Sequence, residues 1–130
     1  MRVLLDTHVF LWANVEPDRL GSQRALVEDP DVERLVSAVS TWEIAIKVGI
    51  GRLTLPDPPL RWIPDRLRAL AATPVAIEHL HAIAVAELPL LHRDPFDRLL
   101  VAQARVLDVP ILTADTEIAR YDVETLLIER

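Results

Sequence analysis

The stretch VLLD (residues 3–6) is an apolar run without a polar face, and it ends on an acid. Three other short runs are also mainly apolar, at Leu35–Ala38, Val75–Ile77 and Ile111–Thr113, and Thr125–Ile128 is a weaker fifth candidate. Such runs predict strands that are buried on both faces, which is typical of a parallel sheet covered by helices on each side.

Helical patterns separate these candidate strands along the chain. They lie at Thr41–Val48, Leu60–Ala71, His79–Leu88 and Pro95–Leu107. Because strands that alternate with helices usually form a parallel sheet, the sequence predicts an α/β fold. We expect a three-layer α/β/α sandwich around a mostly parallel sheet of four or five strands. In such sheets, ligands bind beyond the carboxyl ends of the strands.

The composition is that of one domain that folds without cross-links. The chain has 130 residues, 51% of them hydrophobic, and a domain of this size buries roughly two-thirds of its unfolded surface. The absence of cysteine excludes disulfides, thiolate zinc sites and thiol nucleophiles. No apolar run approaches the ~20 residues of a membrane span, and Asp6 falls where a signal peptide would be apolar. We therefore expect a cytoplasmic protein with no membrane partner.

Two aspartates follow the ends of candidate strands, and a third begins a helix. Asp6 ends the first run, and Asp115 comes two residues after the fourth. In HRDPFDRLLVAQA (92–104), Asp94 precedes a proline and is predicted to be the helix N-cap, which leaves Asp97 in the first helical turn. All three positions can face the carboxyl edge of the sheet.

Glu43 lies near the start of the helix predicted after the second strand, in STWEIAIK (40–47). With Ser40 or Thr41 as the cap, Glu43 is the second or third helical residue, where a capping box would explain it without a further role. Taken together with the three aspartates, it could instead reach the same edge of the sheet. Both interpretations stay open at this point.

The four acids together predict a cation site. Carboxylates within a few ångströms of one another repel and become protonated unless a cation lies among them. Oxygen ligands, with no cysteine and no suitable histidine pair, favour Mg²⁺ or Mn²⁺. A cation held by carboxylates polarises a phosphoryl oxygen and lowers the pKa of a bound water, so a phosphate ester is the expected substrate.

Four blocks of sequence together resemble PIN-domain ribonucleases, of the kind found as VapC toxins in bacterial type II toxin–antitoxin pairs. The blocks follow the family's order and spacing, and they read VLLDTHVFLW (3–12), SAVSTWEIAIKVGIGRL (37–53), HRDPFDRLLVAQA (92–104) and ILTADTEIARY (111–121). The resemblance covers essentially the whole chain and implies that residues 1–130 form a single PIN domain.

The resemblance also implies a mechanism and a set of partners. It assigns the family's four acidic residues to Asp6, Glu43, Asp97 and Asp115. It also implies that the hydroxyl of Thr113 lies near the metal. A metal-activated water would hydrolyse RNA and leave a 5′-phosphate and a 3′-hydroxyl, with Asp6 and Asp97 holding the metal most directly. Glu43 and Asp115 would act through water or position the nucleophile. The implied partners are an RNA substrate, a cognate VapB-type antitoxin and a second copy of the chain in a homodimer.

Cations near the acids would have to attract RNA, because the net charge is −6 and argues against simple electrostatic binding. Lys47, which is the only lysine, lies one turn after Glu43, and Arg93 and Arg98 flank the aspartates of the third block. These three cations are the candidates for phosphate contacts. An arginine beside an aspartate also commonly forms a surface ion pair worth under ~1 kcal/mol.

Three other classes of protein are alternatives to a nuclease. A phosphoacceptor receiver domain needs a lysine at the end of a late strand, and Lys47 lies in an early helix. A haloacid-dehalogenase-type phosphatase needs a second aspartate two residues after the first, where this chain has His8. The serious alternative is a non-catalytic module that binds RNA or protein on a PIN fold.

Overall fold

The structure, a computed structural model, describes residues 1–129. Its centre is a sheet of five strands, in which every pair of neighbours is parallel. The strands are β1 (Arg2–Leu5), β2 (Glu33–Ser37), β3 (Thr73–Val75), β4 (Ile111–Thr113) and β5 (Thr125–Leu127). The predicted fold class is therefore confirmed, and so is the weaker fifth strand.

The strand order, β3-β2-β1-β4-β5, gives the sheet a switch point. The chain moves from β1 to β2 and β3 on one side, and later returns to add β4 and β5 on the other. The order therefore reverses between β1 and β4, and a crevice forms beyond the carboxyl ends of strands at such a point. Asp6 follows β1 and Asp115 follows β4, so both lie at this crevice.

Within the described residues, six α-helices lie between the strands. They are α1 (Thr7–Val15), α2 (Arg24–Glu28), α3 (Ala38–Gly49), α4 (Pro59–Ala69), α5 (His79–Ala84) and α6 (Pro95–Leu107), with short 3-10 segments at Pro17–Gln23, Val85–Glu87 and Ile118–Arg120. Within residues 1–129, none of these helices has the length and apolar character needed to cross a membrane.

Two apolar cores lie on opposite faces of the sheet. Val3 and Leu5 of β1 pack with side chains of α1 and α4 on one face. Leu4 points to the other face, where it packs with side chains of α6. All three strand residues are fully buried, as expected for a strand covered on both sides. Helices on both faces complete the predicted three layers.

The structure moves the third predicted strand and adds a helix. The third strand lies at Thr73–Val75 and not at Val75–Ile77, and it includes Pro74. Because β3 pairs only with β2, it is an edge strand, where proline is tolerated. The added helix is α1 at Thr7–Val15, which was not among the predicted ranges. This helix buries Val9, Phe10 and Trp12, and its apolar sequence lacks the polar stripe that makes a surface helix recognisable.

Candidate active site

A cavity of about 270 Å³ lies at the switch point, beyond the ends of β1 and β4. The structure brings the four predicted acids together in its wall. The lining residues are Asp6, His8, Trp12, Glu43, Lys47, Asp94, Asp97, Ala114 and Asp115. Each of the four acids comes from a different part of the chain: two follow strands β1 and β4, and two belong to helices α3 and α6.

Asp6 is buried, with 3% of its surface exposed, and both of its carboxylate oxygens accept hydrogen bonds. Oδ1 accepts from the backbone N–H of Thr7 at 2.7 Å and caps α1, and Oδ2 accepts from the hydroxyl of Thr113 at 2.7 Å. Burial raises the pKa of Asp6, and the charge of Glu43 adds to this, although the Thr113 hydrogen bond works against it. The carboxylate is therefore rigidly held in a setting that disfavours its charge.

Thr113 joins two of the acids through its hydroxyl. The side chain is fully buried at the end of β4. While its Oγ1 donates to Asp6, it accepts from the backbone N–H of Asp115 at 3.0 Å. The predicted supporting hydroxyl thus lies in direct contact with Asp6 and fixes the turn that carries Asp115.

Glu43 lies in the second turn of α3 and is also 3% exposed. The helix begins earlier than predicted, because Ser37 is the N-cap and accepts from the backbone N–H of Val39. The expectation that Ser40 or Thr41 caps the helix is wrong, and the capping-box interpretation of Glu43 fails with it. Oε2 of Glu43 lies 2.8 Å from Nζ of Lys47. Oε1 is buried and has no hydrogen-bond partner within residues 1–129.

The two aspartates at the start of α6 differ in role. Oδ1 of Asp94 accepts from the backbone N–H of Phe96 at 2.8 Å and of Asp97 at 3.4 Å, so Asp94 is the N-cap, as predicted. Asp97 faces the pocket with 13% of its side chain exposed. Burial first, and then the charges of Asp6, Asp94 and the other acids, raise the pKa of Asp97 to about 8.

Asp115 is held by its own turn and by a histidine. Its Oδ1 accepts from the backbone N–H of Glu117 at 2.8 Å, and its Oδ2 lies 3.0 Å from Nε2 of His92. The same His92 nitrogen is 2.9 Å from Oδ2 of Asp97. His92 is the first residue of the third sequence block, and the sequence alone predicted no role for it. The sequence feature that could have indicated a role is its position two residues before Asp94, the predicted N-cap of the helix.

The three predicted cations occupy different environments. Lys47 lines the pocket beside Glu43, whereas Arg93 is exposed and lies outside the lining. The Arg98 guanidinium donates to the carbonyl oxygens of Pro89 and Val85 and to the hydroxyl of Tyr121. These bonds attach the segment before α6 to the helix, and Arg98 is not among the residues that line the pocket.

The donor set of the pocket fits a hard divalent cation. Several carboxylates converge on a small space, which is costly unless positive charge lies among them. The unpartnered Oε1 of Glu43 is a buried oxygen in need of a donor or a cation, and the raised pKa of Asp97 shows the cost of its negative charge. Carboxylate oxygens are the ligands that Mg²⁺ and Mn²⁺ accept.

Comparison with known proteins gives a family match and several relatives. The PIN domain family matches residues 3–124. The chain is 34% identical over 105 residues to Ribonuclease VapC22 of Mycobacterium tuberculosis, and this match covers 78% of each protein. It is 39% identical over 64 residues to Ribonuclease VapC16 of the same organism, and this match covers 49% of the chain but only 45% of VapC16.

The fold also matches solved structures. One is the crystal structure of VapBC2 from Rickettsia felis bound to a DNA fragment from its promoter. The TM-score is 0.73, the sequence identity is 12%, and the match covers 99% of this chain and 100% of that one. At this identity the likeness is one of fold.

Proposed function

The chain belongs to the PIN-domain family, and on that basis we propose that it is a metal-dependent endoribonuclease, the VapC-type toxin of a toxin–antitoxin pair. One observation carries the proposal. The carboxylates of Asp6, Glu43, Asp97 and Asp115 come from separate parts of the chain and meet in one pocket at the switch point of the sheet. The two M. tuberculosis relatives are named as ribonucleases, which supports RNA as the substrate.

In the proposed site, Asp6 and Asp97 would hold Mg²⁺ or Mn²⁺ most directly, and Glu43 and Asp115 would complete the site through water or position the nucleophile. When bound, such a cation supplies a Lewis acid for the phosphoryl oxygen and a water of lowered pKa. The protein contributes a rigid set of oxygens. Asp6 is fixed by the bonds from Thr7 and Thr113, so little reorganisation is needed when the site is filled.

Lys47 is our first candidate for contact with the RNA phosphate. It lies in the pocket wall, and its partner Glu43 would share its charge with the bound cation. Arg93 is the second candidate, because it is exposed and directly precedes Asp94, which lines the pocket. Arg98 would have to give up bonds to Pro89 and Tyr121 to reach a phosphate, so we place it third.

We also propose that the chain forms a homodimer and binds a VapB-type antitoxin. The structural neighbour from Rickettsia felis is a VapBC2 structure, which supports an antitoxin partner. Large apolar side chains remain exposed, including Leu60, Leu90 and Trp42, which is 58% exposed. Exposed aromatic and aliphatic side chains of this size are typical of surfaces that bind protein partners. Light scattering that gave only a monomer at tens of micromolar would count against the dimer.

The test of the proposed activity is cleavage of RNA by the purified chain. We expect labelled single-stranded RNA to be cut in Mn²⁺ or Mg²⁺, with a 5′-phosphate on the downstream product, and chelation by EDTA to stop the reaction. The variant D6N should be inactive under the same conditions. RNA binding without cleavage, in either metal, would favour the non-catalytic module.

A further inference from the structure

His92 lies between two of the four carboxylates. Its Nε2 is 3.0 Å from Oδ2 of Asp115, in hydrogen-bond geometry, and 2.9 Å from Oδ2 of Asp97. Asp97 belongs to the first turn of α6, whereas Asp115 follows β4. One ring thus contacts two acids that come from separate segments of the chain.

The other ring nitrogen decides what Nε2 can do. Nδ1 of His92 lies 3.2 Å from the backbone nitrogen of Asp94, whose N–H donates to it. Because a backbone N–H is always a donor, Nδ1 must present its lone pair, and a neutral ring then carries its proton on Nε2. In this tautomer the single Nε2–H donates to Asp115, and the Asp97 carboxylate lies in contact with the same nitrogen.

A second role for His92, as a metal ligand, is possible by distance alone. Its Nε2 and one oxygen from each of Asp97 and Asp115 lie within 4.8 Å of one another. A ligating nitrogen needs a free lone pair, however, and a histidine ligand normally donates through its other ring nitrogen. Here the other nitrogen accepts. The pocket wall also includes both aspartates but not His92.

We propose that His92 is a positioning residue and not a ligand: it holds the carboxylate of Asp115 in place for the cation by a hydrogen bond, and it contacts the carboxylate of Asp97. This inference rests on the metal site of the proposed function. Each aspartate has two oxygens, and each oxygen accepts more than one bond. The contact with His92 therefore leaves both carboxylates with lone pairs for a cation.

Two substitutions at His92 separate its contacts. Glutamine places an amide N–H near the position of Nε2, so H92Q keeps a donor toward the carboxylates. Asparagine places a carbonyl oxygen near the position of Nδ1. In H92N the side chain can therefore still accept the hydrogen bond from the backbone N–H of Asp94, but it is too short to contact the carboxylates. Loss of a partner outside the ligand set typically weakens metal affinity about 10- to 100-fold. We expect that loss for Mn²⁺ in H92N and near wild-type affinity in H92Q, by titration calorimetry.

The control is H79N, since His79 is exposed on α5 and its replacement should leave Mn²⁺ affinity unchanged. Spin-echo modulation spectra of bound Mn²⁺ supply a second readout, in which we expect no coupling to a coordinated histidine nitrogen. Such coupling, or equal Mn²⁺ affinity in H92N and the wild type, would overturn the role given to His92 but leave the proposed metal site standing. A wild-type protein that bound no Mn²⁺ would overturn the proposed metal site and this inference together.

Discussion

The hydroxyl of Thr113 donates a 2.7 Å hydrogen bond to Oδ2 of Asp6, and this bond joins the carboxyl ends of β4 and β1 at the point where the strand order reverses. Both side chains are buried. The bond gives Asp6 a donor that partly offsets its burial, and it fixes the edge of the sheet on which the other acids converge.

Removal of this hydroxyl should destabilise the protein. In T113V, the buried Asp6 loses a donor and the backbone N–H of Asp115 loses its acceptor. A buried polar group left unpaired costs about 1–3 kcal/mol, so we expect the free energy of unfolding in urea to fall by about that amount. T113S keeps the hydroxyl and is the control. Equal unfolding midpoints for T113V and T113S would contradict the role assigned to the bond.

The two aspartates at the start of α6 should respond differently to the same change. D97N removes a charge proposed to hold the metal, and we expect RNA cleavage to fall by at least about 100-fold, as in other sites where an electrostatic group is lost. D94N should keep most of its activity, because asparagine is also a good N-cap. Rates measured on one labelled RNA at saturating Mn²⁺ make the comparison. Equal losses in the two variants would show that Asp94 acts in the chemistry.

The metal-free protein should lose stability as the pH rises. The pKa of Asp97 is raised from 3.8 to about 8 in the folded state, so between these values the folded state holds a proton that the unfolded state has released. Stability then falls as pH increases through this window. We expect urea midpoints in EDTA to decline from pH 5 to pH 8, and to decline less in D97N. An identical slope in D97N would contradict the raised pKa.

The ion pair between Glu43 and Lys47 should show energetic coupling. Nζ of Lys47 lies 2.8 Å from Oε2 of the buried Glu43, and K47M would leave that carboxylate without its cation. We expect K47M to destabilise the wild type more than it destabilises E43Q, with a coupling of about 0.5–3 kcal/mol in a double-mutant cycle. The cycle is measured by urea unfolding in EDTA. Additive effects would show that the pair contributes nothing to stability.

The parts of the fold that follow from the sequence are those with a local signature. The buried strands are short apolar runs, and the start of α6 has an aspartate followed by a proline, which is why Asp94 could be identified as the cap. The order of strands and helices placed Asp6 and Asp115 at the same edge. Helix α1 has no such signature, because it is apolar on most sides.

The contacts that could not be predicted depend on tertiary structure. The sequence allows Glu43 to be a capping residue. In the structure α3 begins at Ala38, so Glu43 lies in the second turn of the helix. His92 forms a hydrogen bond with Asp115, which is 23 residues away in the sequence. No spacing rule within the chain indicates that contact, because it depends on how α6 packs beside β4.

The acids at the switch point are proposed to form a cation site, and thermal unfolding with and without Mn²⁺ tests this most directly. A cation that binds only the folded state stabilises it by about 2.7 kcal/mol at a hundredfold excess over its dissociation constant. The wild type should therefore melt at a higher temperature in Mn²⁺ than in EDTA. D97N should melt above the wild type in EDTA, because asparagine carries no charge that folding has to neutralise, and should gain less from Mn²⁺. A D97N protein that melted below the wild type in EDTA, with the same gain from Mn²⁺, would contradict a metal site built on these carboxylates.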